Sequence, residues 1–199
     1  GQTVSAGGQI VSAPAPTGIP AILASTDTPQ AKSAALRKLS ADQGIPIKDV
    51  QEQVEAEIVK QADVIARNTI LSPFQKFGTL RALYDRQPTL SARTSTSVEL
   101  QAYSTPAPLS YALSYAAGVT PEAPVYDATA GNGMLLIGSN LKSGHGNELD
   151  PKRVANLQGF GVGTVTPHDA TTYTPGTTYP FVQLNPPFGG IDNVNFGGY

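Results

Sequence analysis

Apolar residues recur every three or four positions from Ile47 to about Asn68 (Ile47, Val50, Val54, Ile58, Ala62, Ile65), and this period predicts the best amphipathic helix in the chain. Its other face carries Lys48, Asp49, Glu52, Glu55, Lys60, Asp63 and Arg67. The stripe is too short for a coiled coil, so packing against the domain or a partner subunit is expected. Upstream, Ala31 to Leu39 predicts a short helix, and Gly44-Ile45-Pro46 punctuates, with Pro46 suited to a first helical position. Downstream, Ser72-Pro73 interrupts the pattern, and Thr79 to Arg86 predicts another short helix before Gln87-Pro88. A further helix over Leu109–Ala117 is bounded by Thr105 as N-cap and Gly118 as stop. Its N-terminus reads equally as an ordinary cap or as a carboxylate site built from free N–H groups.

After residue 120 the pattern alternates. Pro124–Asp127 reads as a short strand, His145–Glu148 as a second strand end, and Val162–Val165 and Phe181–Leu184 as a third and fourth strand. Between them lie a glycine-rich turn (Ala128–Gly133), a helix started at Met134–Ile137 and stopped by Gly138, and a helix over Pro151–Gln158. Strand–turn–helix units in series predict a parallel α/β sheet.

Composition narrows the picture. Residues 1–30 hold small residues, prolines and a single charge, without periodicity, and are expected to be a flexible tail or linker that need not pack. With 199 residues the chain can bury one sizeable core, plus an appendage. The absence of Cys excludes disulfides, thiolate metal sites and a cysteine nucleophile. No apolar run reaches the length of a membrane span and no signal peptide is visible. Net charge is −2, and residues 101–199 carry three Lys+Arg against six Asp+Glu. A DNA-gripping face has a basic footprint; if nucleic acid is the substrate, most of the phosphate grip is expected elsewhere.

The candidate chemistry lies at the predicted strand ends. Asp127, Glu148, Asp169 and Asn185 close four successive strands at steps of 21, 21 and 16 residues, so all four are expected along one sheet edge. Gly131 and Gly133 let the backbone approach a ligand where a Cβ would collide. An acid about 20 residues beyond such a turn suits ribose hydroxyls. No P-loop Lys follows the glycines, and three carboxylates would repel a pyrophosphate. They suit instead a cofactor with hydroxyls, an amino group and a positive centre, as S-adenosylmethionine has. In Val182–Gly189 an apolar run ends in Asn185, Pro186, Pro187 and Phe188. Two prolines remove backbone donors, leaving carbonyls to face a ligand, and the ring offers a flat surface. His145 and His168 read as surface or supporting residues, and no metal-ligand spacing is present.

Taken in order, Ser104-Thr105-Pro106, Asp127-Ala-Thr-Ala130-Gly131-Asn-Gly133, Asn147-Glu148-Leu-Asp150-Pro151, His168-Asp169-Ala170 and Asn185-Pro186-Pro187-Phe188 resemble the motifs of S-adenosylmethionine-dependent N6-adenine DNA methyltransferases. The run from Arg93 through Gly133 resembles more closely the methyltransferase region of phage and plasmid anti-restriction proteins, some of them helicase-linked and delivered with DNA. The likeness covers about residues 93–190. It implies the N-terminal part of a Rossmann-like class I methyltransferase sheet, a partial domain over 93–199, behind a helical region over 31–92. It also implies that Thr105 and Pro106, Asp127, Ala130, Gly131, Gly133, Glu148 and Asp169 bind S-adenosylmethionine. Asp127 and the glycine backbone would hold the methionine part, Thr105 its carboxylate, Glu148 the ribose and Asp169 the adenine. Asp150 would lie near the adenine or, in the favoured reading, cap the following helix. Asn185 and the Pro186 carbonyl would accept hydrogen bonds from the target amine, with Pro187 shaping the turn and Phe188 stacking on the base. The base would have to leave the helix stack, and the lack of Cys disfavours 5-methylcytosine chemistry.

Expected partners are adenine-containing DNA, a further methyltransferase or helicase portion, and virion proteins; the expected setting is host cytoplasm or a virion. The sequence ends at Tyr199, soon after the fourth motif, so a larger or two-chain assembly is expected. Two alternatives remain open at this point. One is a non-catalytic anti-restriction component that keeps the fold; the other is methylation of protein glutamine or RNA through the same Asn-Pro-Pro logic.

Overall fold

A computed structural model describes residues 18–88 and 104–186, with the backbone of two short strands, Thr3–Val4 (β1) and Ile10–Val11 (β2), which pair antiparallel. Four helices come first: α1 (Ile19–Ala24), α2 (Pro29–Gln43), α3 (Ile47–Arg67) and α4 (Pro73–Asp85). Their ends follow from local chemistry. The Thr28 side chain accepts from the Ala31 N–H at the start of α2, and Gly44 ends it in the left-handed region at φ +64°. Ser72 and Gln75 form a reciprocal capping box ahead of α4, so Ser72-Pro73 starts a helix rather than only breaking the chain. Both α2 and α4 begin earlier than their patterns predict, at the prolines that follow the Thr28 and Ser72 caps.

The segment expected to be a tail departs from that reading at Ile19. Helix α1 forms there, and Ile19 is buried in the main core with Leu36, Val50, Val54, Ile58 and Leu80. The helix is only six residues long, too short for its Ile19, Ile22 and Leu23 spacing to stand out, and Pro20 is tolerated because Pro in the first turn removes only a donor that lacks an intrahelical acceptor. The same core takes in Ala107, Met134 and Ile137 from beyond residue 100. Helix α3 buries the predicted stripe (Val50, Val54, Ile58, Ala62) together with Val59 and Ala66.

The second part comprises α5 (Ala107–Ala117), β3 (Val125–Asp127), β4 (His145–Asn147), α6 (Pro151–Phe160), β5 (Thr164–Thr166) and β6 (Phe181–Gln183). The four strands form one parallel sheet ordered β5-β4-β3-β6, which is third-second-first-fourth along the chain. Between β3 and β4 the expected helix is only a 3-10 turn, Met134–Leu136, followed by a second at Leu141–Ser143. Gly138, at φ +74°, stops the first before an α-helix develops. A second core of Val125, Ala130, Leu136, Leu157 and Val162 joins the sheet to α6. The β5–β6 connection lies on the other face, where Tyr173 and Tyr179 pack their rings on His145, and Tyr179 stacks on Tyr126. Among the described residues no helix is long and apolar enough to cross a membrane.

Candidate functional site

Because all four strands run one way, their carboxyl ends make one rim. Strand order reverses beside β3: the chain steps outward to β4 and β5, then returns to the far side of β3 as β6. Such a reversal opens a crevice at the rim, the usual ligand position in open α/β sheets. Asp127 ends β3 in register with Gln183 of β6, two residues before Asn185. Asp127 and Asn185 therefore flank the crevice. Glu148 directly follows β4, which pairs with β3 on the other side.

Asp127 is 1% exposed. Its Oδ1 accepts from the Thr129 N–H at 3.0 Å, while Oδ2 and the Thr129 Oγ1 are buried with no partner. Burial pushes the Asp127 carboxyl up to about 7, with the nearby Glu148 adding to the rise and the Thr129 N–H opposing it. Two orphaned polar atoms on one turn are expensive unless a ligand satisfies them. The turn itself is held at both ends. Ala130 donates its N–H to the Asn147 carbonyl at 2.8 Å, and the Gly131 N–H donates to Glu148 Oε2 at 2.8 Å. Gly131 and Gly133 both have positive φ, +55° and +94°. A Cβ on Gly133 would lie 3.0 Å from Leu157 and 3.1 Å from Phe160, so this glycine also permits close packing of α6.

Glu148 is half-buried; its Oε1 accepts from the Asp150 N–H at 2.8 Å, and each oxygen keeps a lone pair for a hydroxyl donor. Asp150 caps α6 by accepting from the Lys152 and Arg153 N–H groups, as favoured from sequence. Thr105 is not the N-cap of α5. Pro106 holds that position without a side-chain cap, and Thr105 Oγ1 instead accepts from Asn185 Nδ2 at 3.1 Å. Thr105 and Asn185, distant in sequence, thus meet at the crevice. Asp169 stands apart from this group. It is exposed, and its Oδ1 is taken by the Thr171 N–H and Oγ1, which hold its carboxyl below the usual range. Short loop residues after it form this turn locally, so the side chain joins none of the contacts at Asp127 or Glu148. Pro186 is exposed; Pro187 and Phe188 lie outside the described residues.

Four residues that sequence reasoning gave no role, Asn147, Asn132, Glu52 and Glu55, organise the site. Asn147, 1% exposed, donates to the Ala128 and His168 carbonyls and accepts from the His168 N–H and Thr166 Oγ1. One amide thus ties the turn after β3 to the loop after β5. Asn132, between the two glycines, donates to Glu52 and Glu55 of α3 at 3.0 Å each and accepts from Asn156. Glu52 is paired in a two-pronged contact with Arg153, and Glu55 Oε2 accepts from Ser104 Oγ at 2.5 Å. The polar side of α3, readable as a solvated face, is therefore partly an internal wall. An acidic helix face beside an amide-bearing glycine turn was the available signal. His145 is buried, with Nε2 2.8 Å from Thr166 Oγ1 and burial lowering its pKa; His168 is exposed. Among the described residues no group of three His, Cys, Asp or Glu could hold a metal ion.

Chemically, the rim presents carboxylates and an amide, and its nearby cations are occupied: Arg153 by Glu52 and Lys152 by Asp49. It suits a ligand with hydroxyls and a cationic centre and disfavours a polyphosphate. Comparison of the chain with protein-family models, curated proteins and solved structures finds no match.

Proposed function

We propose that this rim binds S-adenosylmethionine and that the protein methylates the exocyclic N6 amine of adenine in DNA, on a Rossmann-like sheet of the class I methyltransferase type. The observation that carries the reading is the placement of Asp127 and Asn185 on opposite sides of the strand-order reversal, with Glu148 alongside. The motif resemblance supports it, as do the orphaned Asp127 Oδ2 and Thr129 Oγ1, which ask for a polar ligand. In this reading Asp127, Ala130, Gly131 and Gly133 hold the methionine part, Glu148 the ribose, and Thr105 with Pro106 the carboxylate end. Helix α5 adds the first-turn N–H groups of Ala107 and Leu109, which have no intrahelical acceptor. The role given to Asp169 toward the adenine requires its side chain to leave Thr171.

When bound, the cofactor supplies a methyl group made electrophilic by a positive sulfur. The protein's part is positioning and polarisation. Asn185 Oδ1 and the Pro186 carbonyl accept the two amine hydrogens of the target base and favour a pyramidal nitrogen. Held this way, the amine lone pair would be free to take that methyl group, with the S–C electron pair staying on sulfur and the surplus amine proton leaving to water. Pro187 shapes the turn, and Phe188 stacks on the flipped base. Among the described residues from 104 on, Lys142 is the only cation without an ion pair. The phosphate grip therefore belongs to other segments or a partner, such as a helicase portion or virion protein. An anti-restriction role, in host cytoplasm or carried in a virion, is part of the same proposal.

The test is transfer of labelled methyl from the cofactor to unmethylated DNA, with nucleoside mass spectrometry of the product. N6-methyladenine formation that falls at least 100-fold in Asn185→Ala, with cofactor affinity kept within about threefold, is expected. Cofactor binding without transfer would favour a non-catalytic anti-restriction component, and label only on RNA or protein would replace the substrate assignment.

A further inference from the structure

Helix α3 belongs to the region for which the sequence offered no chemistry, yet one of its side chains reaches both halves of the candidate site. Glu55 Oε2 accepts from Ser104, next to Thr105, and from Asn132, between Gly131 and Gly133. Its other oxygen, Oε1, accepts no hydrogen bond among the described residues. Charge balance separates Glu55 from its neighbour. Glu52 is neutralised by Arg153 through two contacts, whereas among the described residues Glu55 forms no ion pair of its own. Burial and the nearby Glu52 raise its pKa, while Ser104, Arg153 and Asn132 oppose the rise. A half-buried carboxylate with one open oxygen, whose nearby cation Arg153 is ion-paired to Glu52, is complementary to a cationic ligand.

Its place in the fold says what kind of cation. Ser104 lies two residues before Pro106, the N-cap of α5, whose free N–H groups suit a carboxylate. An anion-accepting helix end and a cation-accepting carboxylate are thus joined through one serine hydroxyl, as recognition of an α-amino acid requires. The same glycine turn leaves Asp127 Oδ2 and Thr129 Oγ1 buried without partners, an independent mark of a site built around a polar ligand. We infer that Glu55 of the N-terminal helical region is a binding residue for the α-ammonium group of the cofactor's amino-acid end, with Ser104 and Asn132 fixing its carboxylate. This rests on the S-adenosylmethionine reading above.

The experiment compares S-adenosylhomocysteine with its deaminated analogue, in which hydrogen replaces the α-amino group, by calorimetry on the wild type and Glu55→Gln. The wild type is expected to lose about tenfold in affinity when the amino group is removed. Glu55→Gln should lose a similar factor for S-adenosylhomocysteine and distinguish the two ligands by less than about threefold. Equal weakening of both ligands, with discrimination intact, would overturn the assignment and leave the cofactor reading standing. Wild-type binding of neither ligand would remove both. A wild-type pH series keeps the test independent of the variant's folding. The ratio of the two affinities should grow with pH as Glu55 loses its proton, with Glu52 and Arg153 the charged groups facing it. Because Asp127 holds the methionine part and its carboxyl is pushed up to about 7, the series is also run on Asp127→Asn, in which the ratio should still grow with pH. A ratio flat with pH contradicts the inference.

Discussion

At the scale of single residues, Asp127 gives the protein a pH-dependent stability. Its carboxyl moves from 3.8 to about 7, chiefly through burial. The folded protein then holds this proton more tightly than the unfolded chain does. The stability associated with the protonated form is complete below about pH 4 and is lost as the pH rises to about 7. A gap of that size corresponds to roughly 4 kcal/mol. Asp127→Asn keeps an acceptor for the Thr129 N–H and cannot ionise. Its unfolding free energy, relative to wild type, should therefore climb across that window and level off above it. Denaturant melts of the two proteins from pH 4 to 8 check this, and a difference independent of pH contradicts it. The same argument gives ligand binding a direction: a donor to Oδ2 stabilises the carboxylate, so affinity should increase toward neutral pH.

At the scale of elements, the rim depends on loops as much as on strands, each of which is only three residues long. Asn147 supplies the bracing, with four hydrogen bonds that join the turn after β3 to the loop after β5. Asn147→Ala leaves the His168 N–H and two carbonyls short of partners and should cost about 2–4 kcal/mol. Urea melts measure that loss, and faster hydrogen exchange at Ala130 and His168 would locate it; a cost below 1 kcal/mol would assign the bracing elsewhere. These elements differed in how plainly the sequence announced them. The α3 stripe has a strong 3.6-residue period, and the polar residues Asp127, Glu148, Asp169 and Asn185 recur at the spacing of strand–helix units, so the parallel sheet could be read from the sequence. Helix α1 was missed because its apolar positions Ile19, Ile22 and Leu23 span little more than one turn, too short a period to stand out of a Pro-rich stretch. Asn132 and Asn147 were hidden for another reason: a buried amide in a turn or at a strand end has the same spacing as a solvated one, and only the fold reveals its partners. Asp169 shows the reverse case, a correctly spaced acid whose side chain is captured by Thr171 in its own turn.

At the scale of the whole molecule, the helical region and the α/β part share one core, since Ala107, Met134 and Ile137 pack with residues of α1 to α4. The polar contacts repeat that connection: Arg67 donates to the Ser139 carbonyl, Asp63 accepts from the Gly138 N–H at 2.7 Å, and Glu52 and Glu55 hold Asn132. Helix α3 is thus the back wall of the glycine turn, and the site is shaped from both halves of the chain. The central claim is that the converging carboxyl ends of four parallel strands hold S-adenosylmethionine, with Glu148 on its ribose. Equilibrium dialysis of the labelled cofactor against wild type and Glu148→Ala tests this most directly. The account predicts one saturable site in the wild type, weakened at least tenfold in Glu148→Ala while the fold is retained by circular dichroism. The absence of saturable binding, or an affinity unchanged by the substitution, would contradict it.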